Sequence, residues 1–201
     1  MIAIVDYDAG NLRSVEKAFA SLGVETVITR DEAAIKKADK IVLPGVGSFG
    51  HAMENLDRYR LISVLKEVTA KEIPLLGICL GLQILFEDSE ETPGINGLGL
   101  LKGHIVRIPE KKEYKIPHIG WNSIAYPNKG RLFQGIREES YVYFVHSYYL
   151  QAENPGIVTA KTVYTVPMDT SVECGQIFGC QFHPEKSSTV GLQILKNFAE
   201  L

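Results

Sequence analysis

Cysteine is scarce in this chain, and the little present fits no scaffold. Cys79, Cys174 and Cys180 are odd in number and lack disulfide-framework or zinc-site spacing, and the five histidines are scattered. No metal and no organic cofactor is therefore expected. Long apolar runs are also missing, so no segment is expected to span a bilayer. Neither charge dominates: 21 basic against 24 acidic residues leave a formal net charge of −3, too little to draw the chain to nucleic acid or an anionic membrane. The basic residues between Lys102 and Lys115 are interrupted by Glu110 and Glu113 and read as a solvated hairpin or loop. Met1 leads straight into Ile2-Ala3-Ile4-Val5 without a basic leader or cleavage signal, so a cytoplasmic location is expected. With no repeat and no low-complexity linker, 201 residues at 45% apolar content point to a single domain, 1–201, with a real core.

The first half alternates two periods. Strands are expected at 2–6, 24–28, 40–43 and 74–78. Helices are expected at 11–22, 31–38, 52–71 (with a break in the middle) and 80–86. Short β-rich apolar runs joined by helical crossovers make a parallel sheet covered on both faces. From Gly99 the pattern turns to strands and turns, at 104–108, 116–124, 141–146, 156–164 and 176–182, before a last helix over 190–199. The fold class expected is α/β, a central, mostly parallel sheet flanked by helices, with antiparallel strands added from the second half.

Chemistry concentrates in Gly77-Ile78-Cys79-Leu80-Gly81. A buried strand ends at Cys79 and a helix begins at once, with glycine two positions to either side. That is a strand–nucleophile–helix elbow with cysteine in place of serine. The turn needs small flanking residues because strand and helix backbones approach closely. It also presents the nucleophile at the carboxyl edge of the sheet, where a helix N-terminus favours the thiolate. A buried core cysteine on a permissive turn is the competing reading. A base is offered by Phe182-His183-Pro184-Glu185. Residues two apart in an extended segment project to one side, so Glu185 would sit beside His183, fix its tautomer and leave the other nitrogen for the thiol proton. His51, His104, His118 and His146 compete for the role, and a surface His-x-Glu pair remains an alternative.

Cysteine first and His-x-Glu about a hundred residues later resembles the class I, or triad, glutamine amidotransferases over essentially the whole chain. Further likenesses lie at Asp6–Ser14, Pro44–Gly50, Pro117–Asn122 and the Lys186-Ser187 extension of the second signature. The resemblance implies a Cys79, His183, Glu185 triad acting on L-glutamine. It implies an oxyanion hole from the backbone N–H groups of Val46, Gly47 and Leu80. It also implies contacts to glutamine from Gln83, Glu91, His146, Ser147 and Tyr148, with Glu91 at the ammonium group and Ser147 and Tyr148 near the carboxylate. Within the family it is most similar to glutaminase subunits that pass ammonia to a (β/α)8-barrel cyclase subunit, docking through His118, Trp121, Asn122, Tyr143 and Lys186. Two other readings compete: an amidotransferase subunit serving another acceptor enzyme, and a regulatory binding module in which Cys79 is a sensor.

Overall fold

The computed structural model describes residues 1–201. The alternation of the first half is realised as β1 (Ile2–Val5), α1 (Leu12–Ser21), β2 (Thr26–Thr29), α2 (Glu32–Lys37), β3 (Lys40–Gly45), α3 (Phe49–Arg58), α4 (Leu61–Ala70), β4 (Leu75–Cys79) and α5 (Leu80–Gln83). The expected break in the long helix falls at Arg60, which takes a left-handed φ of 57° and turns the chain between α3 and α4. The helix after Cys79 is shorter than the expected 80–86 and closes after one turn.

The second half holds β5 (Asp88–Ser89), β6 (Gly103–Arg107), β7 (His118–Ser123), β8 (Tyr141–His146), β9 (Tyr148–Ala152), β10 (Val158–Val163), β11 (Pro167–Cys174), β12 (Ile177–Cys180) and α6 (Ser188–Ala199). Two of these, β9 and β11, escaped the sequence pattern. β11 buries Thr170 and Ser171 beside Met168 and Val172, so polar residues occupy core positions. Ser171 is satisfied locally, its Oγ donating to Gly179 O at 2.7 Å.

Ten strands form one sheet in the order β2-β1-β3-β4-β12-β11-β9-β6-β5, with β10 paired to β11. β2, β1, β3, β4 and β12 run parallel to their neighbours, and antiparallel pairing begins at β12–β11. One face is covered by α1 and α6 through Val15, Ala18, Phe19, Ile194, Leu195 and Phe198. The other is covered by α2 to α5 through residues such as Ile35, Phe49, Leu56, Val64, Leu65 and Leu82. In each long helix the buried residues recur three or four apart, which lays one apolar stripe on the sheet. β7 and β8 form a separate two-stranded ribbon. No helix is long and apolar enough to cross a membrane.

Candidate active site

The carboxyl ends of β3, β4 and β12 lie side by side: Gly45 is in register with Cys79, and Cys180 with Ile78. Three segments distant in sequence therefore meet at one edge, where open α/β sheets bind ligands. Cys79 carries φ 55° and ψ −110°, outside the left-handed well, a strained conformation for a residue with a Cβ. The neighbouring glycines are required by contact. A Cβ on Gly81 would lie 1.7 Å from Leu43 O, and one on Gly77 2.6 Å from Gly81 O. The elbow is thus wedged against β3 on one side and folded on itself on the other.

His183 follows β12 and is pinned from several directions. Its N–H donates to Tyr143 O at 2.9 Å, and its carbonyl accepts from Ser187 Oγ at 2.6 Å. Nδ1 lies 2.8 Å from Glu185 Oε1, while Nε2 has no hydrogen-bond partner in the protein. Burial disfavours the charged ring, but interaction with Cys79 and Glu185 prevails and pushes its pKa up to about 10. Cys79 and His183 line a common cleft of about 440 Å³ with Val46, Gly47, Leu80, Gln83, Glu91, Pro117, Val145, His146, Ser147, Tyr148 and Lys186. Every residue that the family resemblance assigned to the oxyanion hole or to glutamine is on that wall. Glu185 stands behind His183, its side chain 1% exposed.

The detailed contacts refine several assignments. Glu91 Oε2 accepts from Phe49 N at 2.7 Å, so this carboxylate also ties the start of α3 to the cleft. Gln83 Nε2 is committed to Tyr148 O at 3.1 Å and to Gln181 Oε1 at 2.9 Å, which leaves its Oε1 for a ligand. His146 is not a base: Nδ1 meets Tyr148 O at 2.9 Å and Nε2 meets His118 Nδ1 at 3.0 Å. Burial pushes its pKa down to about 3 and that of His118 to about 4, so both rings are neutral. Gln181, which the sequence pattern did not single out, is fully buried and places Nε2 3.5 Å from Cys79 Sγ. Its position two residues before the base was the only available signal.

The expected docking residues divide by strand period. Trp121 and Ile119 project outward from β7, 51% and 60% exposed, and Tyr141 on β8 is 59% exposed. Trp121 packs edge-on to Tyr143, and Lys186 Nζ lies 5.9 Å above the Tyr143 ring. His118 is corrected by the structure: it is 3% exposed, sandwiched between Phe144 and Tyr164. Residues three apart in a strand face opposite sides, so His118 and Trp121 do not share a surface. Asn122 turns inward with His118, its Nδ2 donating to Val163 O at 2.9 Å.

Comparison with known proteins agrees with this geometry. The family model for glutamine amidotransferase class-I matches residues 3–201. The imidazole glycerol phosphate synthase subunit HisH of Moorella thermoacetica is 48% identical over 200 residues, covering 100% of this chain and 94% of its own. That of Bacillus cereus strain G9842 is 50% identical over 198 residues, covering 98% and 93%. Among solved structures, a glutamine amidotransferase crystal structure superposes with a TM-score of 0.78 at 18% identity over 100% of this chain and 98% of its own. PurLQS from Thermotoga maritima gives 0.75 at 21% over 99% and 97%. At such identities the two structures speak for the fold alone.

Proposed function

The chain belongs to the class I glutamine amidotransferase family, and on that footing we propose that it is the glutaminase subunit of an imidazole glycerol phosphate synthase, acting in L-histidine biosynthesis in the cytoplasm. One observation carries the reading: a strained Cys79 shares its cleft with a histidine whose far nitrogen is held by a buried carboxylate and whose near nitrogen is free.

In the proposed reaction, the thiolate of Cys79 attacks the side-chain amide carbon of glutamine. The carbonyl oxygen becomes an oxyanion, stabilised by backbone N–H groups of Val46, Gly47 and Leu80. Collapse breaks the C–N bond, His183 gives the leaving nitrogen its proton, and ammonia departs from a glutamyl thioester. His183 then takes a proton from water as it attacks the thioester, and glutamate leaves with the thiolate restored. Glu185 keeps the ring in the tautomer that serves both steps. Glu91 faces the ammonium group of glutamine; Gln83, His146, Ser147 and Tyr148 form the wall near its other polar groups.

The proposed partner is a (β/α)8-barrel cyclase subunit that receives the ammonia. Trp121, Tyr143 and Lys186, with partly exposed Asn122, supply the docking face, to which Ile119 and Tyr141 add apolar area. β8 joins that face to the cleft, since its end supplies Val145 and His146. Partner binding also sets the Gly45-Val46-Gly47 turn. Gly47 has φ +107° with no neighbour near a Cβ position, and Val46 is 44% exposed. A rotation of the Val46–Gly47 peptide changes φ at Gly47, which glycine tolerates at little cost.

The test is glutamine hydrolysis by the chain alone and with a cognate cyclase and its nucleotide ligand. Hydrolysis should rise strongly with the partner. Cys79→Ala should abolish it while sparing synthesis from added ammonium salts; loss of both activities would refute the division of labour.

A further inference from the structure

Gln181 lies outside the triad and outside every glutamine contact assigned above, yet its amide touches the reacting sulfur. It sits between β12 and His183, fully buried, its backbone N–H donating to Thr170 O at 2.8 Å. Nε2 lies 3.5 Å from Cys79 Sγ, an ordinary N–H···S separation.

Neighbouring bonds fix which end of the amide faces sulfur. Tyr148 O can only accept, so the Gln83 atom 3.1 Å from it is the nitrogen. That nitrogen's second hydrogen points to the Gln181 atom 2.9 Å away, which must therefore be the oxygen. The remaining end of Gln181, the one at Cys79, is –NH₂. The carbonyl of Tyr148 is itself held, because His146 Nδ1 donates to it at 2.9 Å. Each amide is thus locked by its neighbour, and no rotation of Gln181 alone can turn an oxygen toward the sulfur without orphaning Gln83 Nε2.

We propose that Gln181 is a further catalytic residue of this site, donating a hydrogen bond to the Cys79 sulfur that stabilises the thiolate and holds its direction of attack. This rests on the reading of Cys79 as the nucleophile. His183 passes its proton to the leaving nitrogen and takes another from water, whereas the Gln181 amide has no proton to lose in the working pH range. Sulfur therefore keeps one fixed donor at every step. A charge-assisted bond favours thiolate over thiol, and its strength is greater where water is excluded.

The proposal is tested by following alkylation of Cys79 with iodoacetamide by mass spectrometry across pH. The wild-type chain is compared with Gln181→Met and Gln181→Glu. The glutamate variant keeps an acceptor for Gln83 Nε2 and removes only the donor to sulfur. Both variants should react about tenfold more slowly at neutral pH and approach the wild-type rate at alkaline pH, where the thiol ionises unaided. An unchanged rate at neutral pH, or a slowing that persists at alkaline pH, would overturn the proposal. In the wild-type chain, the Gln181 side-chain amide proton resonances should move with pH as the alkylation rate rises; a stationary resonance overturns it even if neither variant folds. Should wild-type Cys79 react no faster than exposed Cys174, the nucleophile reading itself fails. Fast wild-type Cys79 with unmoved variants defeats Gln181 alone.

Discussion

His183 Nδ1 lies 2.8 Å from Glu185 Oε1, and the two side chains are only 2% and 1% exposed. Solvent does not screen this pair, so the carboxylate holds both the ring's orientation and its charge. Glu185→Gln preserves shape but removes the charge. Glutamine hydrolysis with the partner present should fall by at least about 100-fold, with less change in KM than in kcat. The pair also has a pH signature. The folded pKa of His183 is raised from 6.5 to about 10, so its contribution to stability is complete below the lower value and is lost as pH rises through the upper one. Glu185→Gln should flatten the alkaline part of a stability–pH curve measured by urea unfolding. A curve that keeps its alkaline fall would show that Glu185 does not hold the charge.

His118 and His146 have the opposite sign. Their folded pKa values, about 4 and about 3, lie below the ordinary 6.5. Between these limits the unfolded chain takes up protons that the folded chain refuses, so stability falls as pH drops through that window. Each ring contributes a slope of about 1.4 kcal/mol per pH unit. His118→Phe keeps an aromatic ring between Phe144 and Tyr164 but leaves His146 Nε2 without its donor. It should cost about 1–3 kcal/mol at neutral pH and remove one ring's share of the acid slope. Urea titrations at several acidic pH values would read both effects, and an unaltered slope would contradict the assignment.

At Gly81 the backbone of β3 leaves no room: the missing Cβ would meet Leu43 O at 1.7 Å. Because the obstacle is strand backbone rather than a flexible side chain, Gly81→Ala should destabilise by more than about 3 kcal/mol. Gly94→Ala meets no neighbour, only a positive φ of +88°, and should cost about 1–2 kcal/mol. Comparable losses in the two variants would mean that the elbow relaxes away from β3.

The same glycines explain why the site was legible before its geometry was known. Gly77 and Gly81 are fixed by close approach, and His183 and Glu185 by an extended segment, so sequence spacing carries both constraints. The parallel half of the sheet was readable because its strands are short apolar runs. β11 was not, because Thr170 and Ser171 are buried polar residues satisfied only by tertiary partners. Gln181 stayed hidden for a similar reason. Its role depends on Gln83 and Tyr148, 98 and 33 residues away, and no local pattern reports that meeting. His118 was misplaced because likeness named the segment without its strand register.

Glu91 joins two functions that one substitution can separate. Its carboxylate accepts the Phe49 N–H at 2.7 Å and lines the cleft. Glu91→Gln retains an acceptor for Phe49, so α3 should stay anchored and thermal stability should change little. The lost charge should raise the KM for glutamine about tenfold with kcat nearly unchanged, as expected for a contact to the substrate ammonium made equally in ground and transition states. Steady-state kinetics in the complex would decide; an equal fall in kcat at constant KM would place Glu91 in the chemistry instead.

Trp121 separates docking from folding. With half its surface exposed on the outer face of β7, it contributes little to the core, and its nearest aromatic neighbour is Tyr143 with ring centroids 6.1 Å apart. Trp121→Ala should therefore leave the urea midpoint of the isolated chain almost unmoved. At a partner interface, an anchoring tryptophan is worth about 2–4 kcal/mol, so affinity for the cyclase should fall by about 30- to 1,000-fold. The loss should appear mainly in dissociation rate, because the substitution removes packing rather than charge. Calorimetry and surface-binding kinetics would measure it. If binding is unchanged while the isolated chain is destabilised, the exposed face of β7 is not where the partner sits.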